Sequence, residues 1–110
     1  MIRKSPALAI VLVLLLAPLA SAQPGADAGK KVYADQKCSV CHSVAGVGNK
    51  KGPLDKAGST LSADDIRSWI TDAPAMAAKA KADRKPPMKA YSTLAKADVD
   101  ALVAYLQSLK

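Results

Sequence analysis

Cys38-Ser39-Val40-Cys41-His42 is the stretch of this chain whose residue types and spacing can do chemistry. C-x-x-C-H is the pattern by which a polypeptide binds a haem covalently. Two thiols three positions apart on one helical turn point the same way, so each can form a thioether with one vinyl group of a single porphyrin. The adjacent imidazole is then carried beneath the ring, where it can bind iron. Other chemistries use similar residues. A thioredoxin-like dithiol belongs in a βαβ pattern, and no parallel-sheet pattern flanks this segment. A structural zinc site takes four closed ligands, whereas the chain has two cysteines and one histidine in all. A Cys38–Cys41 disulfide would close too small a loop to stabilise much.

With His42 on one face of the iron, the residue on the other face decides what the iron does. His42 is the only histidine, which excludes a second imidazole from this chain. Methionine opposite histidine raises the potential and suits electron transfer, because the soft thioether favours the ferrous state. Beyond Met1 the methionines are Met76 and Met88. Pro86-Pro87 stiffens the approach to Met88 and lowers the entropy of presenting its side chain. Met76 follows Pro74 in an alanine-rich stretch, and methionine is also an ordinary gap-filler of cores. Met88 is therefore favoured; Met76, a lysine or an open position are the alternatives.

The elements that must hold these groups read as helices. Asp27 to Gln36 forms a first helix with Asp27 as N-cap and Val32 and Tyr33 as an apolar patch, leading directly into Cys38. Ala45 to Pro53 is dense in glycine and reads as an extended loop. Ser62 caps a helix on which Ile66, Trp69 and Ile70 share one face, and Pro74 stops it. The Ala/Lys-rich stretch from Ala75 to Pro87 has helical propensity but no apolar stripe, which predicts exposure. Val99, Leu102, Val103, Leu106 and Leu109 make the buried stripe of a last helix. Its N-cap is Ala95 or, in its place, Thr93. No strand alternation is visible.

Arg3 and Lys4, the apolar run from Ala7 to Ala17 and the small residues ending Ala20-Ser21-Ala22 read as a secretory signal peptide over residues 1–22. The apolar run is short of the about 20 residues that span a bilayer, so no stable membrane insertion is expected. Residues 23–110 then form one small domain. It holds 39 apolar residues, but 17 are alanine and none is phenylalanine, so its core is thin. A flat apolar prosthetic group, offering area on the order of two to three large aromatic side chains, would fill it. The full chain carries +7; without Arg3 and Lys4, 14 basic side chains face 9 acidic ones. Such a surface either steers acidic partners or is a solvated face that serves solubility alone. Nucleic acid is not expected, since no basic patch is interleaved with aromatics.

The order of Gly29, Tyr33, Cys38-x-x-Cys41-His42, Gly52-Pro53-Leu54, Trp69-Ile70, Pro86-Pro87-Met88-x-x-Tyr91 and Ala104-Tyr105-Leu106 resembles class I cytochromes c of the small bacterial periplasmic monohaem type. The resemblance covers essentially all of residues 23–110. It implies an all-α cytochrome c fold, with three to four helices around one covalently bound haem c and the first and last helices crossing. Gly29 and Tyr33 would meet the last helix around Leu102, Tyr105 and Leu106. It further implies that the Pro53 carbonyl accepts a hydrogen bond from the His42 imidazole, and that Trp69 packs near the haem edge or a propionate; Trp69 could equally be plain core packing. Members of that family commonly place a residue between this proline and leucine, which are adjacent here. The function implied is a monomeric, exported, periplasmic one-electron carrier, not an enzyme. Its iron would be held by His42 and Met88, and it would exchange electrons with redox proteins bearing acidic docking surfaces. Lys37, Lys50, Lys51, Lys85 and Lys89 are candidates to ring the exposed edge. An electron-entry subunit of a larger oxidoreductase, and an open-face haem enzyme lacking the Met88 bond, are the alternatives.

Overall fold

Glycine at position 29 permits a close approach of two helices. A Cβ there would run into the Ala101 carbonyl oxygen and stand 2.6 Å from Tyr105 Cβ, so the first and last helices touch backbone to backbone. The computed structural model describes residues 25–110; the signal peptide expected over residues 1–22 lies outside the described residues. Within them the order is α1 (Ala26–Asp35), a 3₁₀ turn (Cys38–Val40), β1 (Ser43–Val44), β2 (Val47–Gly48), α2 (Ala57–Thr60), α3 (Ala63–Thr71), α4 (Ala73–Ala80) and α5 (Lys96–Gln107). The architecture is helical, as expected, with five helices rather than three to four, and α1 packs most extensively on α5.

The core forms where apolar stripes meet. Val32 and Tyr33 of α1, Ile66 and Ile70 of α3, and Val99, Leu102, Val103, Tyr105 and Leu106 of α5 make one buried cluster. The Tyr33 and Tyr105 rings meet edge to face, their centroids 5.6 Å apart, an arrangement that matches ring edge to ring face electrostatically. Outside the core, Arg67 of α3 pairs with Asp100 of α5 at 2.8 Å, and Lys96 reaches the same carboxylate at 2.7 Å. These two cations hold the Asp100 carboxyl below the usual carboxylate range. α2 is tied to the chain end by the Gly58 N–H, which donates to the Leu109 carbonyl at 2.7 Å.

Several boundaries differ from the sequence reading, each for a local reason. α1 is capped by Gly25 in a left-handed conformation, and Asp27 sits inside the first turn, where its charge favours the helix dipole. Ser62 does cap α3, accepting from the Asp65 N–H at 3.1 Å. Pro74 is not the stop of α3: that helix ends at Thr71, Asp72 turns the chain, and Pro74 opens α4 in its first turn, where no backbone N–H is needed. The Ala/Lys stretch is helical to Ala80; Ala73 just ahead of it is fully buried, Met76 and Ala77 are half-buried, and most of the rest is exposed. α5 starts from Ala95 with no side-chain cap, so Thr93 does not serve. The glycine-dense loop contains a small antiparallel hairpin, Ser43 opposite Gly48 and Val44 opposite Val47. Its turn residues Ala45 and Gly46 both have positive φ, 51° and 79°, the geometry of a tight hairpin turn. Strands of two residues are too short to leave an alternating pattern.

Gly29→Ala should destabilise the fold by about 2–3 kcal/mol, because the added methyl overpacks a crossing that only helix separation can relieve. Chemical denaturation reads the effect, and a loss under ~0.5 kcal/mol would contradict so close a contact.

Candidate functional site

The 3₁₀ turn gives the cysteines their common direction. The N–H groups of Cys41 and His42 both donate to the Cys38 carbonyl, at 3.1 and 2.9 Å, closing a single turn around the motif. Both cysteines are free thiols, half-buried, and both line one cavity. Burial pushes the Cys38 thiol up from its ordinary value.

His42 is oriented by the loop segment at Gly52. Its Nδ1–H donates to the Gly52 carbonyl at 3.0 Å, which fixes the tautomer and leaves Nε2 with a lone pair for a metal. Burial pushes the His42 pKa down, opposed by the Gly52 bond and assisted by the Arg84 charge. The imidazole is therefore held neutral, as a ligand must be. The expected acceptor, the Pro53 carbonyl, is not the partner. Ser43 forms a parallel bridge to Pro53, in which the Ser43 N–H donates to Gly52 O at 3.1 Å and the Leu54 N–H donates to Ser43 O at 2.9 Å. That register turns the polar groups of residues 52 and 54 toward the motif, so Gly52 O is the acceptor shared by Ser43 and His42. Pro53 itself is exposed and does not line the cavity.

Asn49 went unread in the sequence. Its backbone N–H donates to both Ser39 O and His42 O at 3.0 Å, its Nδ2 donates to Val40 O at 3.1 Å, and its Oδ1 accepts from the Lys51 N–H at 3.0 Å. One residue thus satisfies three carbonyls of the attachment turn. Gly52 is also more than a turn residue. A Cβ there would collide with Arg84 Nη1 and the Cys41 carbonyl oxygen, and would stand 3.0 Å from His42 Nδ1. An Asn or Gly in a loop carries no signal for such a role until its partners are placed.

The cavity measures about 290 Å³ and collects Tyr33, Cys38, Cys41 and His42, Ile66, Trp69 and Ile70 of α3, Leu102 and Leu106 of α5, and Arg84, Pro86, Pro87 and Met88 from the loop. Met88 lines it and Met76 does not. Trp69, half-buried, lines it as well. The loop bearing Met88 is anchored just beyond it, where the Tyr91 N–H donates to the Ile70 carbonyl at 2.8 Å, and Lys89 Nζ sits 4.9 Å from the Tyr91 ring centroid. Burial raises the Tyr91 phenol. Tyr33 is more extreme: burial, followed by Cys38, lifts its phenol to about 12, and its Oη is buried without a hydrogen-bond partner. An apolar cavity lined by two thiols on one turn, a neutral imidazole, a thioether and an orphaned phenol fits a flat covalent metalloporphyrin. Among the described residues no group of three or more His, Cys, Asp and Glu side chains could hold a bare metal ion instead.

Residues 26–110 match the family described as cytochrome c. The chain is also similar to cytochrome c oxidase subunit 2 of Alkalihalophilus pseudofirmus, 31% identical over 94 residues, which takes in 77% of this chain and 26% of that protein. The chain thus spans about a quarter of the length of this curated relative. No solved structure matches it.

Asn49→Ala should cost about 1–2 kcal/mol of stability, since it leaves the Val40 carbonyl and the Lys51 N–H without their partner. Equilibrium unfolding measures it; an unchanged midpoint would mean that water replaces the side chain without loss.

Proposed function

The chain belongs to the cytochrome c family, and from that premise we propose that it is a monohaem electron carrier whose iron is held by His42 and Met88. Haem c, when bound, supplies a one-electron iron couple. That Met88 lines the same cavity as the carbonyl-anchored His42, while Met76 does not, is the observation that carries the reading. Cys38 and Cys41 would attach the ring through thioethers. Gly52 O holds the imidazole's orientation and raises its basicity. Trp69, Ile66, Ile70, Leu102 and Leu106 line the cavity and would keep water from a bound iron, which would raise its potential by lowering the local dielectric.

A carrier also needs an approach surface. From Lys37 to Leu54 the chain has Lys37, Lys50 and Lys51 and no carboxylate, and Lys85 and Lys89 lie on the loop bearing Met88. These cations support a weak, steered encounter with acidic redox proteins. Residues 1–22 support export to a periplasm. Among the described residues no helix is long and apolar enough to cross a membrane.

A second reading has an observation of its own. The similarity to part of an oxidase subunit favours a fixed electron-entry domain of a larger oxidoreductase. Purification as a free monomer with reversible redox chemistry supports the carrier; isolation only within a larger complex supports the subunit.

The ligand assignment is tested spectroscopically. The band near the red end of the visible spectrum, attributed to methionine-to-ferric-iron charge transfer, should be present in the parent protein, lost in Met88→Ala and kept in Met76→Ala. Its absence in the parent would favour an open face and an enzyme. Electrostatic docking predicts that the second-order rate with an acidic redox protein falls roughly tenfold as salt is raised through the range where the Debye length shrinks to a few Å. A flat profile would remove the lysines from the encounter.

A further inference from the structure

Arg84 is the one cation among the described residues that line the cavity, and no carboxylate lines it beside Arg84. The ion pairs among the described residues lie elsewhere, where Arg67 and Lys96 both meet Asp100. A guanidinium at the wall of an apolar slot, with no counter-charge beside it, acts on whatever fills the slot, because the interior on that side screens little.

The seat of the head group gives that charge an address. Arg84 belongs to the loop that carries Met88, yet its guanidinium rests on the segment that orients His42. A Cβ on Gly52 would collide with Arg84 Nη1 and would stand 3.0 Å from His42 Nδ1. Guanidinium and imidazole are therefore neighbours over one backbone position, and only glycine leaves room there for both. The Gly52 carbonyl accepts from His42 Nδ1–H at 3.0 Å, so the same residue aims the ring and seats the charge. The imidazole feels it: burial first, and then the Arg84 charge, push its pKa down against the Gly52 bond. Arg84 is exposed on its outer side, where water and salt weaken its field without removing it.

Resting on the reading of this chain as a haem carrier ligated by His42, we propose that Arg84 is a potential-setting residue: its guanidinium, seated on Gly52, holds one positive charge beside the histidine ligand and favours reduced over oxidised iron. The sign follows from charge alone. Oxidation adds a positive charge to the iron, and a fixed cation nearby makes that addition costlier. Lys37, Lys50, Lys51, Lys85 and Lys89 do not line the cavity, so the cations assigned to the encounter and the cation assigned to the potential are different residues.

The experiment reads the ratio of reduced to oxidised holoprotein at a fixed applied potential and low salt. Haem retained through denaturation is scored first in the parent. Its absence there overturns the carrier reading and this proposal with it, whereas attached haem with unmoved ratios overturns this proposal alone. Arg84→Gln should shift the ratio about threefold toward the oxidised form, the effect of one unit charge partly screened by solvent. Arg84→Glu reverses the charge and should shift it about ninefold, the square of the first effect. Arg84→Lys should stay within about 1.5-fold of the parent, and so should Lys79→Gln, which removes a charge from an exposed α4 residue that does not line the cavity. Equal shifts in Arg84→Gln and Arg84→Glu mark lost packing rather than lost charge. A shift in Arg84→Lys as large as in Arg84→Gln marks the shape of the head group, and a matching shift in Lys79→Gln marks net charge; each of these overturns the proposal. Should Arg84→Gln fail to accumulate, proton NMR of the reduced parent decides. Cross-peaks from the Arg84 guanidinium to the Gly52 α-protons support the seat; their absence overturns it.

Discussion

The contact on which the structure depends is the crossing of α1 and α5 at Gly29. Because no side chain separates the helices there, the backbone of α1 rests on Ala101 and Tyr105. The attachment turn begins only three residues after α1 ends, at Cys38. A fixed crossing therefore fixes the distance between Cys38, Cys41 and His42 on one side and Leu102 and Leu106 of α5 on the other, and that distance is a dimension of the cavity. The core can be thin because the helices are brought together by proximity of backbone rather than by bulk of side chain. What large side chains do not fill is left as a slot lined by apolar groups.

The second constraint acts at shorter range. The motif by itself makes one turn, and a lone 3₁₀ turn is a weak element. It is held by the hairpin and by the segment that follows. Asn49 closes on the carbonyls of Ser39, Val40 and His42, and Gly52 offers one carbonyl to both Ser43 and His42. All of these partners lie within residues 39–54, so the imidazole's aim is a local property, independent of how α3 and α5 pack. Burial and the Arg84 charge then keep the ring neutral. Orientation and protonation state are thus prepared before any metal arrives, which reduces the rearrangement that binding requires.

The parts of this arrangement legible in the sequence were those carried by periodicity or by reactive residue type. The stripe Val99, Leu102, Val103, Leu106 placed α5, Ser62 placed the start of α3, and the cysteines and histidine announced themselves. Pro86-Pro87 had favoured Met88 over Met76 as a ligand, and of the two it is Met88 that lines the cavity. What was illegible depends on backbone groups, which sequence does not display. A carbonyl belongs to every residue, so the choice of Gly52 over Pro53 could be made only once the bridge between Ser43 and Pro53 set which carbonyl faced the imidazole. Pro74 was read as a terminator because proline breaks helix interiors, but at a first helical turn the same ring opens a helix. Helix α2, four residues long, and the two-residue strands are below the length at which any pattern repeats.

The two sides of the cavity are built to different standards, and electron transfer gives a reason. On the histidine side the backbone is dense with short-range hydrogen bonds. On the methionine side, residues 82–90 form no helix or strand, and the backbone is secured at Tyr91 by its bond to Ile70. Under the proposed ligation by His42 and Met88, the firm histidine side would set the position of the iron and the methionine side would have only to follow. Pro86 and Pro87 limit how far it can wander by restricting φ at two successive residues. Stiffness on the methionine side is therefore written into covalent geometry, while on the histidine side it is assembled from hydrogen bonds, and the apolar walls from α3 and α5 keep water from competing with either.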